Sequence, residues 1–466
     1  MIYMKKILSF SLICATALGF TGCSGEEDDL FNASAAERLN AASALYSARL
    51  TAQPNGWAMQ YYPTYDDEEP NGAGYLILCR FNKDFSVDVS GYNWPQWIQQ
   101  YNTEDRSYEW KPSYFQEYVE DKSYWEVITD NGPVLTFNSY NKAMHYFSDP
   151  DFRETGTGFG GDYEFIITDA PDDASYMILK GKKRGTYNLL TPVEEGIEYQ
   201  SYLAEIRDFQ SLLFSPENPT SCFLIAGDST YIMEDAAGGL PSIYLEGTDK
   251  ITNQNFNPFL ITKRGDDFYL RFRDAFERDD LEGTLQDLRY VPEEDCFICT
   301  ENDNFRIVPH KAFDFFKKSF ENEHSFTLKQ DAPADEMSDK MRQLMNSCLN
   351  GIKAVNKSYV FNEVKMRYTP SIGVVWTFKY QTTSSAREMQ YEYSNEWGDG
   401  SFKQVFQKPS TDYAKNIAAR VESIGELFEN TLSQEFKISA VKTQFNLSKI
   451  KFTSVSDPEL WFVLNY

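Results

Sequence analysis

Apolar and polar residues alternate with a period of two along much of this chain, and the alternating runs come in pairs. Residues 57–62 read as a strand closed by Pro63. Residues 75–81 form a nearly continuous apolar run, and Asn82-Lys83-Asp84 turns it into the alternating stretch 85–89. Asp130-Asn131-Gly132-Pro133 separates runs at 124–129 and 134–140, which is a hairpin signal. Pro171-Asp172-Asp173 does the same between 161–168 and 175–180. Further strands are expected at 268–272, 296–299, 359–368, 373–380, 388–393, 402–407 and 449–464. Sequential hairpins predict antiparallel sheets rather than a parallel α/β fold.

Three segments switch to the helical period. In 31–53, Leu39, Ala42, Tyr46 and Leu50 share a face, behind the capping box Ser34-Ala35-Ala36-Glu37. In 335–349 the face is Met337, Met341, Leu344 and Cys348; in 411–432 it is Ile417, Val421, Ile424 and Phe428. The expected class is α+β, mainly antiparallel β in meander or sandwich-like sheets, with a few packed helices. Breaks at 215–220 and 236–241 place an N-terminal β-rich domain at 34–240 and a C-terminal α+β domain at 241–466.

The first residues change the picture from fold to location. Lys5 and Lys6 precede an apolar run, 7–20, that is too short for a comfortable membrane span. It ends Phe20-Thr21-Gly22-Cys23, which resembles a bacterial lipobox: residues 1–22 would be the leader and Cys23 the lipidated residue. Acyl chains anchor a protein without a transmembrane helix, at about 0.8 kcal/mol per buried methylene. Residues 23–33 form an acidic tether containing Glu26-Glu27-Asp28-Asp29, which resembles the surface-export signal of Bacteroidota lipoproteins. The expectation is a protein anchored in the outer membrane and facing the cell surface. Its formal net charge of −26 excludes nucleic acid as a partner. Beyond Cys14 and Cys23, the cysteines are Cys79, Cys222, Cys296, Cys299 and Cys348, an odd, scattered set that is no disulfide framework.

Candidate chemistry is sparse. There is no G-x-S-x-G, P-loop, S-x-x-K or H-E-x-x-H, and no metal or cofactor is expected. Cys296-Phe297-Ile298-Cys299 is a lone C-x-x-C whose sulfurs would diverge on a strand, so buried apolar cysteines are expected. His145 has only His310 and His324 as histidine companions. Asp162 and Glu164 lie two apart, which on a strand puts both carboxylates on one face, the arrangement a glycosidase pair needs. Seventy acidic residues also produce such pairs by chance. The alternative for Gly160-Gly161-Asp162-Tyr163-Glu164-Phe165 is a glycine turn feeding a strand with Tyr163, Phe165 and Ile167 on one face. The cluster Lys180-Gly181-Lys182-Lys183-Arg184 reads as a solvated hairpin end. The richest candidate surface is 92–125, where Tyr92, Trp94, Trp97, Tyr101, Trp110, Tyr114, Tyr118 and Trp125 interleave with Asn, Gln and Ser. Such rings stack on sugar or peptide, or pack over a sheet as core.

Several of these segments together carry a resemblance. Pro54-Asn55-Gly56-Trp57, Tyr61-Tyr62-Pro63, Leu135 to Asn141, His145 to Pro150, Gly160 to Phe165 and Leu179 to Lys183 resemble a family of Bacteroidota surface lipoproteins catalogued as domain of unknown function 4302. The similarity is best over residues 54–190. It implies company with outer-membrane uptake systems of the SusC and SusD type, and it supplies no catalytic residues. The expected role is non-catalytic capture of glycan or peptide for uptake. The alternatives are a hydrolase using acidic residues of 132–190 and a structural subunit of a transport complex.

Overall fold

The computed structural model describes residues 34–63, 73–92, 96–101, 108–113, 118–130, 132–150, 158–248, 257–381 and 386–466. The strands at 96–101 and 108–113 are described by their backbone alone.

Helix α1 (Ala35–Leu50) begins where the capping box predicts: the Ser34 N–H donates to Glu37 Oε2 at 2.8 Å and the Glu37 N–H to Ser34 Oγ at 3.3 Å. It lies against a barrel built from β1 (Trp57–Tyr61), β2 (Tyr75–Phe81), β3 (Ser86–Tyr92), β6 (Tyr118–Thr129), β7 (Pro133–Phe137), β8 (Glu164–Asp169), β9 (Met177–Gly181) and β10 (Tyr187–Pro192). These strands stand in chain order, and β10 closes on β1 through pairs such as Met59↔Leu190. Between β3 and β6 the chain leaves this meander to form a separate ribbon of β4 (Gln96–Tyr101) and β5 (Tyr108–Ser113). Trp57, Tyr61, Trp125, Phe137, Phe165 and Leu179 belong to the core of the barrel.

Helix α2 (Tyr199–Leu213) leads into a second sheet of β11 (Cys222–Ala226), β12 (Ser229–Glu234), β13 (Ser242–Leu245), β14 (Phe259–Arg264), β15 (Asp267–Phe272), β16 (Asp287–Val291), β17 (Cys296–Cys299) and β18 (Phe305–Val308). It repeats the consecutive order, and β18 returns to β11. It stays open at one seam: β13 and β14 do not pair as strands, although the Phe259 N–H donates to the Gly239 carbonyl at 2.9 Å. The expected boundary between residues 240 and 241 falls inside this sheet, between β12 and β13, where Glu234 pairs with Ser242.

A second closed barrel follows α3 (Ala312–Glu321). It contains β19 (Ser325–Lys329), β20 (Val360–Thr369), β21 (Gly373–Gln381), β22 (Ala386–Trp397), β23 (Ser401–Pro409), β24 (Glu435–Ala440), β25 (Lys449–Ser454) and β26 (Trp461–Asn465). Helix α4 (Asp339–Val355) buries Met341, Met345, Cys348 and Ile352 against it. Met337, expected on that helix, instead forms a β-bridge with Phe462. The expected helix over 411–432 is broken into α5 (Asp412–Ala418), α6 (Glu422–Gly425) and a π-helical turn (Glu426–Thr431). Val421 adopts an extended backbone, φ −126° and ψ 91°, and its side chain fills the space beside Gly351 of α4. Ile417, Val421, Ile424 and Phe428 are nevertheless all buried, as their spacing predicts.

The class is β-rich α+β with antiparallel pairing throughout. The sandwich-like alternative is replaced by barrels: when the last strand bonds to the first, a sheet closes on itself and leaves no edge.

One apolar core joins the first barrel to the second sheet. Ala58, Leu76 and Leu78, on the outer wall of the barrel, pack with Leu203, Ile206 and Leu213 of α2 and with the side chains of the second sheet. The third unit reaches the same core through its 441–448 loop, which buries Phe445 between Phe214 and Phe297, each at a ring distance of 5.7 Å. The loop backbone is clasped. Asp295 accepts from the Thr443 hydroxyl at 2.8 Å and the Gln444 N–H at 2.6 Å, and Asn218 accepts from the Leu447 N–H at 3.0 Å. Emptying this socket with Phe445→Ala should cost about 3–5 kcal/mol in urea unfolding, whereas Val455→Ala at the exposed surface should stay within about 0.5 kcal/mol.

Candidate functional site

The block that carries most of the family resemblance is held by Asp162. Its backbone N–H donates to Tyr61 Oη at 2.7 Å, and the Tyr61 hydroxyl donates back to the Asp162 carbonyl at 3.0 Å. Its carboxylate accepts the N–H groups of Lys183 at 2.9 Å and Arg184 at 3.0 Å, one on each oxygen. Gly181 lies directly against that carboxylate, where a side chain would have no room. Burial raises the Asp162 pKa above the ordinary 3.8, opposed by those two hydrogen bonds and the Arg184 charge. Asp162 therefore clamps the β9–β10 turn.

Glu164 opens β8, half-buried, and pairs with Lys182 at 3.1 Å; Lys182 also reaches Asp130 at 2.8 Å. Because β8 begins at Glu164, Asp162 lies before the strand and the expected two-residue alternation does not apply to it. For the same reason Tyr163 is 42% exposed, while Phe165 and Ile167 are buried as expected. Both carboxylates are engaged by the chain's own groups.

His145 begins a 3-10 turn (His145–Ser148). Its Nδ1 accepts the Asn141 N–H at 3.1 Å, so the neutral ring carries its proton on Nε2. The ring stacks on Tyr163 at 4.6 Å and lies 5.4 Å from Tyr140. Burial lowers its pKa below 6.5. His145 and the Asp162 segment thus meet through Tyr163, as packing. His310 lies beside Phe223, and His324 beside Tyr466. Among the described residues no group of His, Cys, Asp and Glu is arranged to hold a metal.

The five cysteines are free and buried. Cys299 faces the shared core with Phe297, and Cys296 approaches Glu294. Burial pushes the Cys222 and Cys348 thiols up to about 12, which keeps them from being thiolates.

The aromatic stretch divides. Trp125 is a barrel-core residue, 1% exposed, and its Nε1 donates to the Ser86 carbonyl at 3.1 Å. Tyr92 packs 5.8 Å from Tyr118, with the Arg207 guanidinium of α2 4.6 Å above its ring. Tyr92 is therefore part of the seam between barrel and helix. Trp94 and Tyr114 lie outside the described residues, as does Cys23. Trp97, Tyr101 and Trp110 stand on the β4–β5 ribbon, whose register pairs Trp97↔Pro112, Gln99↔Trp110 and Tyr101↔Tyr108. Cross-strand partners and residues two apart occupy one face of such a ribbon, so positions 97, 99, 101, 108, 110 and 112 share a face.

Sequence reasoning gave no sign of one cavity of about 470 Å³ beside the start of α4, with Ser338, Lys340, Glu459 and Trp461 among its lining. Its walls come from segments more than a hundred residues apart, joined by the Lys340–Asp457 ion pair.

The family model described as "Domain of unknown function (DUF4302)" matches residues 27–282. That span covers the first barrel and ends between β15 and β16 of the second sheet. No curated protein matches the chain. Among solved structures, a chain described as "Caulobacter crescentus pol III beta" aligns at 10% identity over 91% of this chain and 97% of its own, with a TM-score of 0.13. A likeness at that level carries no argument.

The Asp162 clamp has a pH signature. A carboxyl whose folded pKa is raised binds its proton more tightly when folded, so its contribution falls as pH rises from about 3.8 through the folded value. Urea midpoints measured from pH 3.5 to 7 should show this fall in the native chain and lack it in Asp162→Asn. The variant should also lose about 1–3 kcal/mol, because an amide cannot accept both N–H groups.

Proposed function

The chain belongs to the DUF4302 family, and from that premise we propose that it is a lipid-anchored protein of the outer membrane, facing the cell surface, that captures a glycan or peptide for uptake without chemistry of its own. The observation that carries this reading is the β4–β5 ribbon. It leaves the first barrel between two wall strands, pairs with no other strand among the described residues, and its register places Trp97, Tyr101, Tyr108 and Trp110 on one face. The leader that ends at Cys23 and the acidic tether after it support the location. No helix among the described residues is long and apolar enough to cross a membrane, so in this reading the anchor is the lipid. SusC- and SusD-like proteins are the partners proposed to receive the captured ligand.

Hydrolysis by the acidic residues of 132–190 is the weaker reading. Asp162 holds a turn and Glu164 is ion-paired with Lys182, so neither carboxylate is left for a reacting bond.

Two measurements test the proposal. Radiolabelled palmitate should enter the native chain in an outer-membrane-bearing host and be absent from Cys23→Ser, which should leave the membrane fraction; labelling of both would remove Cys23 as the anchor. Isothermal titration of the Cys23→Ser chain, without residues 1–22, against oligosaccharide and peptide panels should find a ligand. Trp97→Ala/Trp110→Ala should weaken that ligand by about tenfold or more. No binding in either panel, or binding indifferent to the two tryptophans, would contradict the capture role.

A further inference from the structure

We propose that His145 is a proton-operated latch: its neutral ring pins the turn that stops one end of the first barrel, and protonation of that ring releases the turn. The stopper is the segment 141–148. Phe147 packs on Tyr61 at a ring distance of 5.1 Å and on Tyr75 at 4.5 Å, the residues that end β1 and begin β2. Tyr146 stacks on Phe159 at 5.5 Å. Met144, Tyr146 and Phe147 are buried with the core of the barrel.

The stopper is tied at both ends. At its far end the Gly161 N–H donates to the Phe147 carbonyl at 2.9 Å, and a Cβ on Gly161 would collide with Phe147. At its near end Asn141 and His145 hold each other. The His145 N–H donates to the Asn141 carbonyl at 2.8 Å, and the Asn141 N–H donates to His145 Nδ1 at 3.1 Å. The Asn141 side chain completes the turn. Its Oδ1 accepts the N–H groups of Ala143 at 3.0 Å and Met144 at 3.1 Å, and its Nδ2 donates to the Asp121 carbonyl at 3.2 Å and Ser123 Oγ at 3.1 Å. This is the reciprocal logic of a capping box, with an imidazole in place of the usual carboxylate or amide.

That imidazole makes the difference. The other partners of Asn141 are peptide and hydroxyl groups, which gain no proton near neutrality. A backbone N–H can only donate, and Nδ1 accepts it only while the ring is neutral. In the imidazolium both ring nitrogens are donors, so two N–H groups would face each other. Turning the ring over brings a carbon to the same place and does not restore the bond. Asn141 is fully buried, and an N–H left there without an acceptor is relieved by opening the turn to water.

The charges around the ring set the direction of the switch. Asp149 favours the imidazolium, but burial disfavours it and is the larger effect, so His145 titrates below 6.5. Asp121 of β6 accepts the Lys142 N–H at 2.8 Å, Glu164 of β8 is paired with Lys182, and Asp162 is held by the Lys183 and Arg184 N–H groups. The rings beside His145 are Tyr163 and Tyr140, and the Tyr140 hydroxyl donates to Asp149 at 3.1 Å. A histidine whose folded pKa is lowered binds its proton less tightly when folded. Its contribution is therefore present above about 6.5 and lost as pH falls through the folded value. The Asp162 clamp has the opposite sign, which keeps the two apart in one titration.

The test is amide exchange on the full chain from pH 7.5 to 4.5, corrected for the intrinsic pH dependence of exchange. Protection of residues 138–149 and of Gly161 should fall about fivefold or more on acidification, with β25 unchanged. His145→Asn places an amide oxygen where Nδ1 stands and takes no proton, so it should keep its protection at every pH. His145→Phe keeps a ring but no acceptor, so it should show the acid level throughout. The chain has three histidines, so NMR of the histidine-labelled protein resolves them, and the signal missing from His145→Asn identifies His145. Its midpoint should coincide with the fall in protection.

Protection of 138–149 that stays constant while His145 titrates would overturn the inference. So would an acid step that survives in His145→Asn, or a loss that strikes all strands together. Thermal unfolding checks each variant, and should His145→Phe fail to fold, the native chain and His145→Asn still decide the matter.

Discussion

An eight-stranded barrel encloses little more space than its inward side chains fill, and that constraint governs this protein. The interior of the first barrel is taken by Trp57, Tyr61, Trp125, Phe137 and Phe165, and that of the last by Trp376, Phe402, Phe436 and Phe462. Both interiors are packed with buried apolar and aromatic side chains. In the proposed capture role, recognition falls outside the walls, on a segment that leaves the meander. In the first barrel the ribbon is the segment that leaves it as strands.

The same economy explains how the three sheets stay together. Closing a sheet removes its edges but leaves an outer wall with apolar patches. Ala58, Leu76 and Leu78 are such a patch, covered by α2 and the second sheet. The second sheet does not close by a strand ladder at β13 and β14. The Tyr202 hydroxyl of α2 donates to the Lys263 carbonyl of β14 at 2.8 Å, so the helix helps cover that open side. The third barrel contributes Phe445, with Asp295 and Asn218 satisfying the polar backbone of the entering loop. Each joint combines a buried apolar group with hydrogen-bonded backbone, since an unpaired polar group at such a depth would cost more than the contact gains.

Local signals were legible wherever local physics decides. The capping box at Ser34 and Glu37 placed the first helix, and Phe165 and Ile167 alternate into the core as expected. Helix α2 was missed: Glu198 rather than a Ser, Thr, Asp or Asn caps it, and Gln210 sits among its buried residues. Helix α3 starts without any side-chain cap. The expected split at 240 lies within the span of one sheet, in which pairing of β11 with β18 joins residues far apart in sequence. At the candidate site, the sequence placed Asp162 and Glu164 together by strand periodicity. Where β8 begins was the missing fact, and it depends on Tyr61 gripping the Asp162 backbone from another strand. The aromatic stretch was recognised as unusual, but only the register could separate Trp125, in the core, from the ribbon positions.

The central claim is that ligand contact falls on the ribbon and not on the barrels. Amide hydrogen exchange, followed across the whole chain with and without a saturating oligosaccharide or peptide ligand, addresses it directly. The account predicts new protection concentrated in residues 96–101 and 108–113, with the barrel strands unchanged. Protection centred on the cavity beside α4, or on the Tyr140–His145–Tyr163 stack, with the ribbon unaffected, would contradict it.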